Sequence, residues 1–188
     1  MWIHGLSEDH TSIFINKEQS EKPKNSGQLS QEAIDRAFQN QQRRSKLAYK
    51  YQDVIITVLS GKNTGRAGVV LVTAPSGHKV EVSSLERTLI DITVRPGYSG
   101  GVSSVLQAFR LAQNRVSVDE LLALLRRFDY TYPYHQSIGF YLKRAGYAEA
   151  NQVLARADGV KFDFHLCHGL KNPAFDPDWR VFFPRTLK

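Results

Sequence analysis

The sequence predicts an α+β fold: a mixed or antiparallel sheet region, then a helical bundle-like half, then C-terminal strands. Three observations point there. Short β-branched and apolar runs dominate before residue 83. Between residues 85 and 157 the apolar positions recur at helical spacing. At 161–166 they return to period two. Strands and helices segregated in this way favour α+β over a doubly wound sheet. The expected division is a mostly β region with one basic helix at 1–82 and a helical region with closing strands at 83–188, the two packed side by side or as one compact domain.

Residues 12–16 read as a short strand, with Ile13 and Ile15 on one face. Residues 17–28 are polar, contain Pro23 and Gly27, and read as a loop. Ser30 suits a helix N-cap and Glu32 the positive end of the helix dipole. Ala33, Ile34, Ala37 and Phe38 follow at helical spacing, and the helix is expected to run on to a basic end at 43–46. Residues 54–59 and 69–72 are strand-like, with a turn at 60–65 between them. A second turn at 75–77 precedes a strand at 78–82, and together these predict an antiparallel sheet.

Ser83 or Ser84 caps the next helix, which buries Leu85, Leu89 and Ile92 and stops at Pro96-Gly97. After Gly100-Gly101 a helix carries Val102, Val105, Leu106 and Phe109. Ser117 and Glu120 have capping-box spacing: the hydroxyl serves a first-turn amide, and the carboxylate reaches back to the capping residue. Leu121, Leu124, Leu125 and Phe128 form the stripe of that helix. Two further helices carry Ile138, Tyr141, Leu142 and Ala145, then Val153, Leu154 and Ala157, with Gly146 and Gly159 at C-terminal cap positions. Residues 161–166 and 179–183 close the chain as strands.

With 188 residues and 41% hydrophobic content, the chain can bury the core of one domain or of two small ones. No apolar run approaches the roughly 20 residues that span a bilayer. The opening residues lack a basic start and an apolar stretch, and a lone cysteine forms no internal disulfide. A cytoplasmic protein with no membrane partner is the expectation. The net charge of +7 and the pI near 9.6 favour polyanionic partners, either nucleic acid or acidic protein. Two groups of cations are candidate binding residues. Arg36, Arg43, Arg44, Lys46 and Lys50, near Tyr49 and Tyr51, could contact phosphates, although cations at a helix C-terminus are also favoured by the dipole alone. Arg126, Arg127, Lys143 and Arg144 form a second basic group on the helical half.

Motifs that would signal catalysis lack their context. Gly97-Tyr98-Ser99-Gly100-Gly101 matches G-x-S-x-G, but a helix and not a strand precedes it. Gly61-Lys62-Asn63-Thr64 resembles the end of a phosphate-binding loop, yet Ile56 stands where a glycine is required and Asn63 where Ser or Thr would bind magnesium. His165, Cys167 and His168 have no second ligand pair to complete a zinc site. Glu81, Glu86, Asp91, Asp53 and Lys79 could serve a nuclease metal site, but the usual strand-borne acid–lysine pair is missing. No catalytic residue, metal or cofactor is therefore expected.

Ser84, Glu86, Arg87, Thr88, Leu89 and Asp91, followed by Arg95-Pro96 and Gly100-Gly101, resemble the S-x-E-R-T-L-x-D, R-P and G-G signature of AbiEi-type antitoxins and transcriptional regulators. Ile3-His4-Gly5-Leu6 is similar to the family's H-G-L element, and residues 164–173 with Trp179-Arg180 to its closing strand region. The resemblance covers most of the chain. It implies a non-enzymatic antitoxin of a toxin–antitoxin or viral-defence locus, whose partner is a cognate nucleotidyltransferase toxin, and a DNA-binding regulator among its relatives. In those relatives a winged helix precedes the H-G-L element and represses the operon; this sequence begins almost at that element, so either the module is missing or the sequence is truncated before it, and autonomous operator binding is not expected of these residues. The signature residues themselves read as architectural, with Glu86, Arg87 and Asp91 tying their helix to its neighbours.

Overall fold

The fold was described from a computed structural model, which covers residues 1–21, 28–74 and 76–187. It is α+β: the described residues form six α-helices and three small sheets, with helices in the middle and strands at the C-terminus. The proposed loop residues 22–27 and Pro75 of the second turn lie outside the described residues.

The first sheet has the order β1-β3-β2. β1 (Ser12–Glu18) runs parallel to β3 (Val54–Gly61), and β2 (Ala48–Tyr51) pairs antiparallel with β3 through a two-residue turn at Gln52-Asp53. The second sheet is the antiparallel hairpin of β4 (Val69–Thr73) and β5 (Lys79–Ser83). The middle section is therefore not one antiparallel sheet, and residues 60–65 do not form a hairpin between β3 and β4. The reason lies in the intervening loop. Gly65, Arg66 and Gly68 all take left-handed backbone conformations, turning the chain away, and the loop's polar groups bond to other elements.

α1 (Gln31–Gln39) starts where expected, with the Ser30 hydroxyl accepting from the Ala33 amide at 3.3 Å. It stops earlier than its basic tail suggested. Asn40 is extended, and the Phe38 carbonyl accepts from the Gly169 amide at 2.8 Å. In residues 39–46 no apolar residue continues the buried stripe of Ile34 and Phe38, so Arg43, Arg44 and Lys46 lie in an irregular lead-in to β2.

The helical half comprises α2 (Leu85–Val94), α3 (Val102–Ala112), α4 (Val118–Phe128), α5 (Tyr134–Arg144) and α6 (Glu149–Arg156). α2 is central and touches α3, α4 and α5. Leu89, Ile90, Val105, Phe109, Leu121, Ile138, Phe140 and Tyr141 are sealed in its core. Gly146 and Gly159 adopt the left-handed conformation expected at helix ends. No described helix is long and apolar enough to cross a membrane.

The third sheet, β6-β8-β7, packs against α5 and is short: β6 (Phe164–His165), β7 (Ala174–Asp176) and β8 (Val181–Phe183). The alternation at 161–166 overstates its strand, because the Asp163 amide donates to Gln31 Oε1 of α1 and leaves the ladder. Gly139 of α5 lets the fully buried Trp179 ring lie against the helix backbone; a Cβ there would sit 2.2 Å from that ring.

Candidate functional site

The family-like signature forms a polar hub between the sheets and the helices. Ser84 caps α2 by accepting from the Arg87 amide at 3.2 Å. Arg87, 4% exposed, donates from Nε to Asp91 at 2.9 Å, and from Nη1 to Thr64 at 2.9 Å and to the Ala67 carbonyl at 2.6 Å. Its guanidinium lies 4.6 Å from the centre of the Phe128 ring in α4. Thr64 in turn donates to Glu18 of β1. One buried cation thus links α2, α4, the β3–β4 loop and, through Thr64, the first sheet. The surrounding protein raises the Asp91 carboxyl above its ordinary range, against the opposing pull of Arg87, although 39% of its side chain still meets water.

The remaining signature residues serve the same junction. The Ser117 amide donates to Glu86 at 3.4 Å, so the carboxylate that completes the Ser117 cap comes from α2 and not from Glu120. Thr88 pairs with Ser83 at 2.7 Å, and Leu89 is buried in the core. Arg95 donates to the Ser60 carbonyl of β3 at 2.9 Å, and Pro96 is buried. Gly100 and Gly101 have φ of 86° and 92°, and the Gly101 amide returns to the Pro96 carbonyl at 2.8 Å, which makes the tight entry to α3. The N-terminal element joins here too: the His4 ring bonds the Ser83 carbonyl at 2.7 Å and Leu6 is buried.

The two basic groups fare differently. On the helical half, Arg126 pairs with Asp158 at 2.8 Å, and Lys143 pairs with Asp176 at 2.9 Å and with Asp178 at 2.6 Å. Arg144 lies over the Phe140 and Phe183 rings. Arg127 alone of this group has no such partner among the described residues. In the N-terminal region Arg36, Arg43, Arg44, Lys46 and Lys50 are exposed, and among the described residues none has an ion-pair partner. Arg36 lies on α1, while the other four lead into or lie on β2.

A feature passed over in the sequence is the outer face of the first sheet. Ile13, Ile15, Leu47, Tyr49 and Tyr51 are exposed there. Phe14, on the opposite face, meets Tyr98 edge-on at 5.6 Å, and the Tyr98 hydroxyl accepts from the Ser45 amide at 2.6 Å. That contact covers the Phe14 side only in part, since Phe14 and Ile55 there are themselves exposed. The alternation Leu47-Tyr49-Tyr51 was the available signal, hidden by reading residues 43–46 as the end of a helix.

The other motifs resolve simply. Ser99 follows a 3-10 turn and donates to the Pro96 carbonyl at 3.0 Å, which is no strand-borne nucleophile. Lys62 donates to the Asp129 carbonyl. His168 stacks on Phe38 at 4.3 Å, His165 reaches Asp35 at 3.2 Å, and burial pushes the Cys167 thiol up to about 11. Glu81 pairs with Arg66. Among the described residues no three His, Cys, Asp or Glu side chains come together as a metal site. A shallow cleft is walled by Tyr130, Tyr132, Tyr134 and His135; burial raises the Tyr130 phenol to about 12, so it stays protonated at neutral pH. Comparison with protein families, with curated proteins and with solved structures finds no match to this chain.

Proposed function

We propose that the protein is a non-enzymatic antitoxin or transcriptional-regulator-type protein of a toxin–antitoxin or viral-defence locus, acting in the cytoplasm against a nucleotidyltransferase-type toxin. The reading rests on the resemblance of residues 84–101 to the AbiEi-type signature. One structural observation supports it: the signature side chains are spent on mounting the first sheet against the helices, while the outer face of that sheet stays open. A rigid mount behind an exposed apolar and basic surface suits a protein that works by binding. Co-expression with a neighbouring nucleotidyltransferase toxin tests it. Restored growth is expected; continued toxicity with this protein soluble and abundant would overturn the reading.

A second reading is DNA binding through the basic surface. The uncompensated cations Arg43, Arg44, Lys46 and Lys50 favour it. Duplex affinity should then fall steeply with salt, the log–log slope shrinking by about one for each of these residues replaced by alanine. Gel shifts without binding at low salt would remove it.

A further inference from the structure

We propose that the outer face of the β1-β3-β2 sheet is a platform for single-stranded nucleic acid, with bases stacked on Tyr49 and Tyr51 and phosphates following the cationic β2 edge. This narrows the nucleic-acid reading above to one face and one strand class, and it rests on that reading and not on toxin neutralisation.

Register defines the face. Ile13, Ile56 and Tyr49 lie in one row across the three strands, and Tyr51 is level with Val54. The Val58 amide donates to the Leu47 carbonyl, which brings Leu47 level with Val58 and Ile15. Side chains alternate along a strand, so these residues share one side of the sheet. Tyr49 is 59% exposed and Tyr51 66%. Among the described residues neither ring has an aromatic or cationic neighbour. Two residues apart on one strand, the rings are separated by roughly 7 Å, a spacing that an unstacked single strand can follow.

Charge decides the class of partner. Beside the tyrosines, the polar side chains in the paired rows of the face are Lys17 and Ser60, level with each other across β1 and β3, and among the described residues no carboxylate lies in those rows. Glu18 points to the other side, where it is bonded by Thr64, and Asp53 sits in the hairpin turn. Lys50 lies between the tyrosines on the edge strand β2 and projects to the opposite side, while Arg43, Arg44 and Lys46 precede the strand, so the cations line the β2 edge and not the ring-bearing face. Cations without counter-charges gain most from a polyanion, through release of its condensed counterions. Flat, accessible rings gain from bases only when those bases are unpaired, because a duplex hides their faces. Exposed rings and uncompensated cations on one small sheet therefore favour a single strand over a duplex and over an acidic protein.

Fluorescence anisotropy on the full chain tests this, using labelled oligo(dT) and oligo(U) of about 12 nucleotides, a duplex of equal length, and polyglutamate as competitor. Both single strands should bind. Tyr49→Ala and Tyr51→Ala should each weaken that binding by about tenfold or more, with circular dichroism unchanged. Tyr49→Phe and Tyr51→Phe should keep it, since stacking needs the ring and not the hydroxyl. Tighter binding of oligo(U) would point to RNA as the source, and of oligo(dT) to DNA. Duplex binding as tight as single-strand binding and indifferent to the tyrosines would overturn the platform and leave the basic-surface reading standing. Failure of every oligonucleotide to bind would overturn both. Polyglutamate competing as well as oligonucleotide, with the alanine variants unaffected, would overturn the platform in favour of an acidic protein.

Discussion

In the helical half and the closing strands packed on it the rings of Phe109, Phe140, Tyr141 and Trp179 are sealed from solvent, and Arg126, Lys143 and Arg144 are held by partners within the chain. In the first sheet Ile13, Ile15, Tyr49 and Tyr51 face solvent, and Arg43, Arg44, Lys46 and Lys50 have no ion-pair partner among the described residues. Both regions are rich in the same residue types. The difference is that one spends its apolar area and charge on its own stability, whereas the other keeps them available. The Arg87 hub allows this asymmetry, since it fixes the sheet through loop and strand contacts without covering its outer face.

The largest effect should come from the sealed side. Phe109 is fully buried and stacks on Tyr141 at 5.1 Å, and its carbonyl accepts from the Tyr147 hydroxyl at 2.8 Å. Phe109→Ala removes a large ring from a packed core and should cost about 3–5 kcal/mol in denaturant unfolding. A loss below about 1 kcal/mol would mean that this core is looser than its burial implies, and the contrast between the regions would weaken.

The hub comes next. Arg87→Met keeps most of the side-chain volume but leaves Thr64 and the Ala67 carbonyl without their donor and Asp91 without its ion pair. The expected cost is about 2–3 kcal/mol, below that of the core truncation because Asp91 retains access to water. Hydrogen exchange sharpens the comparison: amides of β1 and β3 should lose protection more than those of α5, because the variant loosens the mount and leaves the helical core intact.

How far these two regions could be read in advance follows from the range of the signals. Ser30, Ser84 and Ser117 announce helix starts because a cap is local chemistry, and the apolar stripes of α2 to α5 announce the core because packing repeats at the helical period. The parallel pairing of β1 with β3 joins residues some forty positions apart, so no local pattern marks it. The end of α1 was obscured because arginines are good helix formers; the chain stops at Gln39 only because Phe38 is the last residue with somewhere to pack and Gly169 takes its carbonyl. Glu86 illustrates the same limit. It ties its helix to a neighbour as expected, but the partner, Ser117 at the start of α4, lies 31 positions on and carries no local mark. As for the candidate surface, its cations were visible in the sequence, but only the strand assignment of residues 48–51 puts Tyr49 and Tyr51 side by side.

A smaller effect should appear on acidification, again on the sealed side. Burial holds His135 and His168 below the ordinary histidine range, so the folded state keeps them neutral. As pH falls below about 6.5 the unfolded chain takes up these protons first. The stability tied to the neutral rings is therefore complete above that pH and is lost as pH falls towards the folded-state values. Thermal midpoints should drop between pH 7 and pH 5, and His168→Phe, which preserves a ring on Phe38, should reduce the drop. An identical drop in the variant would assign the acid sensitivity elsewhere.

The smallest effect is expected on the open face. Ile15 is as apolar as any core residue, yet it is about half exposed and lies level with Val58 on the uncovered side of the sheet. Ile15→Ser exchanges a β-branched strand former for a poorer one but opens no cavity, so its cost should stay within about 0.5 kcal/mol. That is several times less than Phe109→Ala, although both changes delete a large hydrophobe. The reason is that about half of Ile15 is already exposed in the isolated chain, and that part of its apolar area can contribute only when something covers it. Equal unfolding free energies for Ile15→Ser and the parent, together with weaker capture of the partner that covers this face, would be the signature of a surface kept for binding. A loss approaching 2 kcal/mol would instead make the face part of the protein's own core, and the distinction between the two regions would fail.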